Sequence, residues 1–268
     1  NNIQDPHWMT RYTHVYLQKF FFFFADPIIA LKIFWAFLVA SSTILVYWLS
    51  RTLTNTSTFI SGLLSVMFFA TLRLFSDSAG VALADYTGML IVLLALLVFS
   101  YSAKNAHEKK WLLISLGIIF ALALKTKETT WMISALTFGL LYFPGRKIDL
   151  KDFWQKFKFI LIGFGLGVLL FVVMNGLFLG DAFFDFRPSN IQNYLSFYVQ
   201  EEESFEGTQN FLNHGYLAHF MIPFFLYLLA GRKLLAEKKF DLHVFLIWLF
   251  PILLFVFLTI GLMNSPYY

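Results

Sequence analysis

Residues 27–49 read PIIALKIFWAFLVASSTILVYWL, with Lys32 as the one charge. As an α-helix this run is about 34 Å long at ~1.5 Å per residue, enough to cross a hydrocarbon layer of ~30 Å. Similar runs recur at about 57–75, 82–102, 110–124, 128–143, 157–179, 214–230 and 242–263. The whole chain agrees with these segments: 59% of its residues are hydrophobic and 13% charged, and the mean hydropathy is +0.68. A water-soluble domain of this size is expected nearer half apolar and a quarter charged. The expected fold is therefore an all-α polytopic membrane protein of about eight transmembrane helices, with interfacial helices on its external face.

Charge placement orients the spans. The loops around Arg51, 104–110, 146–158 and 232–241 hold thirteen bases against five acids. The alternate segments, namely the N-terminal stretch, 73–85, 125–128 and 180–206, hold six bases against eleven acids. The positive-inside rule then makes the second set external. An odd number of spans would break this alternation. No separate soluble domain remains, so 1–268 reads as one transmembrane domain. Within it, 1–26 closes a first external loop and 180–213 forms another. There is no cysteine, which rules out disulfides and thiolate metal sites within this sequence. The chain starts without Met and ends just past an apolar run, so it is read as a piece of a longer protein.

The external side carries the candidate chemistry. In ALKTKETTWM (123–132), Lys125, Lys127 and Glu128 lie in a joint between two short spans. They are either snorkelling lysines with a Glu at a helix start, or functional charges at membrane depth. From Arg11 on, Arg11, His14 and Gln18 share one helical stripe, and Tyr12, Val15, Tyr16 and Phe20 another, as in a helix lying in the interface plane. Asp26-Pro27 has the form of an N-cap followed by a first helical proline. Asp5 is a carboxylate at the bilayer edge, near His7, Trp8 and Arg11, a group without specific metal-ligand spacing. Asp85, at the outer end of the third span, either complements a helix N-terminus or faces a polar cavity. The 180–213 loop holds Arg187, a surface-lying NYLSFYV segment (193–199) and a solvated Glu run at 201–203.

Bases at membrane depth suit a lipid-linked phosphate. A nearby carboxylate suits a general base for an incoming hydroxyl or amine. Together they describe glycosyl transfer from a polyprenyl-phosphate sugar. No Walker loop or dinucleotide fingerprint is present in the sequence, which disfavours ATP-driven pumping and a nucleotide-sugar donor.

Four stretches, in order, resemble the GT-C fold glycosyltransferases of the family 39 type, relatives of protein O-mannosyltransferases and of the lipid A aminoarabinose transferase. HWMTRYTHVYLQKFFFFFADPIIALK (7–32) looks like the segment after that family's first catalytic loop, with FFADP where a Phe-Gly turn is usual. ADYTGMLIVLLALLVF (84–99) places Asp85 on an acidic position, with Thr87-Gly88 replacing a small-Pro pair. LKTKETTWMI (124–133) places Lys127 and Glu128 on the charged positions of a Thr-Lys-Glu segment. MNGLFLGDAFFDFR (174–187) is similar to a Gly-Asp-Pro loop followed by an Arg, with Ala182 in place of Pro.

The resemblance implies an inverting transferase with Asp5 or Asp85 as the catalytic carboxylate. It implies Lys127, Lys125, Arg11 and Arg187 on the donor phosphate, with Glu128 and His7 in support. No cofactor is required, and a divalent cation is compatible with the chemistry. The implied partners are a polyprenyl-phosphate sugar, a lipid, glycan or protein acceptor, and membrane lipids; nucleic acid is not among them. The implied location is the plasma (inner) membrane, with the active face external or periplasmic. The alternative is a secondary transporter or flippase of lipid-linked sugars, which calls for broken helices at mid-membrane and internal repeats.

Overall fold

The computed structural model describes residues 11–54, 59–70, 84–104, 110–126, 130, 133–134, 137 and 150–190. The expected spans at 214–230 and 242–263 lie outside the described residues, as do Asp5, His7, Lys127 and Glu128. The chain divides into two compact units, Asn1–Ala182 and Phe183–Tyr268. Among the described residues the regular structure is helical throughout, with no strand.

The first unit contains α1 (Tyr12–Phe22), α2 (Pro27–Thr54), α3 (Phe59–Ala70), α4 (Ala84–Lys104), α5 (Lys110–Leu124) and α6 (Leu150–Leu179). Of these, α2 and α6 are long and apolar enough to cross a membrane. The bounds of α5 match the expected run, whereas α6 begins at Leu150 rather than 157. Its added first turns are amphipathic and carry an Asp152–Lys156 ion pair at i, i+4, which extends the helix past its apolar part. Of the expected fifth span, 128–143, the described residues Thr130, Ile133, Ser134 and Thr137 have 3-10 rather than α geometry.

Helix α2 starts where the local chemistry dictates. The Ile28 N–H donates to Asp26 Oδ1 at 3.0 Å, the Ala30 N–H to the Asp26 carbonyl at 2.7 Å, and Pro27 takes the first helical position. Asp26→Ala should therefore cost about 1 kcal/mol, and Asp26→Asn a few tenths at most, read as thermal stability of the purified protein. At its other end, Arg51 lies over Tyr47 and Trp48, 5.6 Å from each ring centroid, an aromatic–cation anchor suited to an interface.

Neighbouring helices pack in the spatial order α3–α2–α4–α5–α6. The face of α2 turned inward is a narrow stripe at four-residue spacing, Ala30, Phe34, Leu38 and Ser42. Its other faces expose Ile28, Ile33, Phe37, Ile44 and Trp48. Helix α6 behaves alike: Ile160, Gly163, Gly167, Phe171 and Asn175 point inward, while Leu161, Ile162, Leu169 and Leu177 are exposed. Only 22% of the apolar window of each of α2 and α6 is buried, the reverse of a soluble core helix. Helix α5, between α4 and α6, buries a broad face, including Leu112, Leu116, Phe120 and Ala123, and exposes Trp111 and Leu124 at its ends.

The α5–α6 contact is the most extensive in the unit and is made by small residues. A Cβ on Gly117 would overlap the Ile160 carbonyl, one on Gly163 the Ile114 carbonyl, and one on Gly167 the Ala121 methyl. Gly117/Ala121 and Gly163/Gly167 are thus facing small-xxx-small pairs that bring two backbones into contact. Gly180, at φ +69°, closes α6 in the left-handed conformation that a helix C-terminus favours.

In the second unit, the described residues form a 3-10 turn, Phe184–Phe186, followed by exposed Arg187. The Asn190 amide donates to the Phe184 carbonyl at 2.7 Å and holds this turn closed.

Candidate functional site

Helix α1 lies across the ends of α2, α4, α5 and α6. Its own start lacks a side-chain cap at Arg11. One of the orphan donors of that first turn is met from beyond another helix instead. The Thr13 N–H donates to the Lys125 carbonyl at 2.9 Å, just past the end of α5. The Thr13 hydroxyl donates to the Leu122 carbonyl at 2.9 Å, which also accepts from the Thr126 hydroxyl at 2.7 Å. The two helices meet N-terminus to C-terminus, so their opposite partial charges attract as their free backbone groups pair.

The next residue of α1 reaches a different helix. His14 is 1% exposed, and its Nδ1 is hydrogen-bonded to Thr87 Oγ1 at 2.8 Å, in the first turns of α4. Its ring lies 5.5 Å from that of Phe34 on α2. The Tyr16 hydroxyl donates to Asn175 Oδ1 at 2.6 Å, near the end of α6, and its ring stacks on Phe178 at 5.2 Å. Below α1, Leu17 and Phe21 pack on a core of Phe34, Leu38 and Tyr86.

These contacts place the sequence candidates. Arg11 is half-buried at the start of α1, and no hydrogen-bond partner for its buried Nε occurs among the described residues. Lys125 is half-buried, with its ammonium 5.5 Å from the Tyr12 ring centroid, a cation–π distance. Lys19 lies likewise over Phe178 at 5.5 Å. Asp85 belongs to the first turn of α4. On the far side of 127–129, Thr130 is buried against that same turn: a Cβ on Gly88 would stand 2.6 Å from Thr130 Oγ1. Arg11, Lys125 and the backbone turn bearing Asp85 therefore meet at one end of the bundle. Arg187 belongs to the second unit.

The two stripes expected on α1 do not divide water from lipid. His14, assigned to the polar stripe, and Tyr16, assigned to the aromatic one, are both buried, because α1 is seated among helix ends rather than on a flat surface. Sequence reasoning misses Thr13, Thr87 and Asn175 as partners. Asn175 does leave a trace, as a lone amide in the apolar run FVVMNGLFL, where an unpaired polar group is costly.

No group of three or more His, Asp or Glu side chains able to hold a metal occurs among the described residues. No protein-family model matches the chain, no curated protein matches it, and no solved structure matches it.

Proposed function

We propose that this chain is part of an integral membrane glycosyltransferase of the GT-C type, built on about eight transmembrane helices. It would move a sugar from a polyprenyl-phosphate donor to a lipid, glycan or protein acceptor at the external or periplasmic face of the plasma (inner) membrane. One observation carries the reading: the start of α1 with Arg11, the turn with Lys125 and the turn bearing Asp85 converge at one end of a bundle with apolar outer faces. At the opposite end lie Arg51, Lys110, Lys151, Lys156 and Lys158, the arrangement the positive-inside rule assigns to the cytoplasm.

In this reading the acceptor oxygen or nitrogen attacks the anomeric carbon, and the bond from that carbon to the phosphate oxygen breaks. The phosphate leaves with the electron pair. Lys125, Lys127 and Arg11 stabilise its charge in a site of low dielectric. Asp5 or Asp85 takes the acceptor proton, and the anomeric centre inverts. Glu128 and His7 support the bases. A divalent cation is compatible with the phosphate chemistry and is not required.

The test is retention of the donor lipid. The full-length parent, purified in mild detergent, should carry a polyprenyl phosphate by native mass spectrometry. Lys127→Ala and Lys125→Ala should each lose it at least ~10-fold, a change of about 1.4 kcal/mol in binding, whereas Lys104→Ala, at the far end of α4, should retain it. Equal loss in all three variants would sink the reading. The alternative, a transporter or flippase of lipid-linked sugars, draws on the 3-10 geometry at Thr130, Ile133, Ser134 and Thr137. It predicts movement of the lipid-linked sugar across proteoliposomes without consumption of an acceptor.

A further inference from the structure

Two consecutive residues of α1 bind two different helix ends. Thr13 holds the end of α5 through its N–H to the Lys125 carbonyl and its hydroxyl to the Leu122 carbonyl, each at 2.9 Å. His14 holds the beginning of α4 through Thr87 at 2.8 Å. One of these ends carries Lys125, and the other carries Asp85. We infer that Thr13-His14 is a clip that sets the distance between the base-bearing turn after α5 and the carboxylate-bearing turn of α4, with His14 as a positioning residue.

The physical basis is the stiffness of the link. Adjacent Cα atoms in a chain are ~3.8 Å apart, so two bonds made from neighbouring helical residues leave little slack between the groups they hold. His14 and Thr87 are both 1% exposed, so water has little access to compete for their bond. The Phe34 ring beside the imidazole limits its rotation. The catalytic meaning of the clip rests on the transferase reading above; its geometry does not.

A disulfide can report the geometry without any activity. The chain contains no cysteine, so introduced thiols have no native competitors in this sequence. A Cβ at Gly88 would lie 3.8 Å from Thr130 Cβ, within the ~3.5–4.5 Å that a disulfide spans. In the full-length parent carrying Gly88→Cys and Thr130→Cys, the two thiols should cross-link readily in membranes under a mild oxidant. Adding His14→Leu should slow cross-linking at least fivefold, and His14→Asn, which restores a polar partner for Thr87, should recover most of the rate. If His14→Leu does not accumulate in the membrane, Thr87→Val breaks the same bond from the other side.

In the parent without introduced cysteines, His14→Leu should retain the donor lipid but turn it over at least tenfold more slowly, and His14→Asn should restore turnover. A merely structural role would lose lipid and turnover together. An unchanged cross-linking rate in both His14→Leu and Thr87→Val would overturn the clip, as would failure of the parent pair to cross-link. Cross-linking that responds as expected, with neither donor retention nor transfer in any variant, would uphold the clip and sink the transferase reading.

Discussion

Replacing Gly163 with leucine should abolish the folded state or lower its stability by about 3 kcal/mol, the upper end of the usual cost of overpacking. A Cβ at Gly163 meets the Ile114 carbonyl and its backbone neighbours, which cannot move aside as a flexible side chain does. The α5 and α6 backbones would have to separate, and Gly117 against Ile160 and Gly167 against Ala121 would lose contact together. Within a bilayer, lipid tails offer apolar surface as good as leucine, so close contact rather than water exclusion drives helix pairing. Gly117→Leu should behave in the same way. Gly165 supplies the control, since no heavy atom would lie within 4 Å of an added Cβ there. Gly165→Ala should be neutral or stabilising by about 0.5–1 kcal/mol, because alanine costs less backbone entropy in a helix. The comparison is made by thermal unfolding and by the monodisperse fraction in size-exclusion chromatography. Similar losses for Gly163→Leu and Gly165→Ala would contradict the described packing.

Separating Tyr16 from Asn175 should produce the next largest effect. Both side chains are buried, and the hydroxyl donates to the amide oxygen at 2.6 Å between α1 and α6. Tyr16→Phe removes the donor and leaves the amide less well satisfied, which should cost about 1–3 kcal/mol. Asn175→Leu should cost a similar amount from the other side. The double variant should lose less than the sum of the two, with a coupling of about 1 kcal/mol in a double-mutant cycle. Strict additivity would mean that the bond is not made. Because α1 also clasps α4 and α5, either single variant should loosen that end of the bundle while leaving the α5–α6 contact intact.

Some features of this architecture are local and can be read from short stretches of chain. The first apolar run, the limits of α5, and the Asp26-Pro27 start of α2 follow from run length and from a cap whose partners lie two to four residues away. The alternation of charge between loops also groups the start of α4 with the ends of α5 and α6, and these are the ends that α1 touches. The early start of α6 is less apparent, because its first turns are amphipathic and escape a search for apolar runs.

The pairings that build the candidate site have no such signature. His14 and Thr87 are 73 residues apart in sequence, and Tyr16 and Asn175 are 159 apart. A lone histidine or amide in an apolar helix announces that a partner is needed, but not which one, since many hydroxyls and carbonyls would serve equally well. The same holds for Gly117 and Gly163, whose spacing permits close approach without specifying the facing helix. Only the packed bundle decides these pairings, because it alone determines which helix ends are brought within hydrogen-bonding distance of α1 and which backbones come into contact.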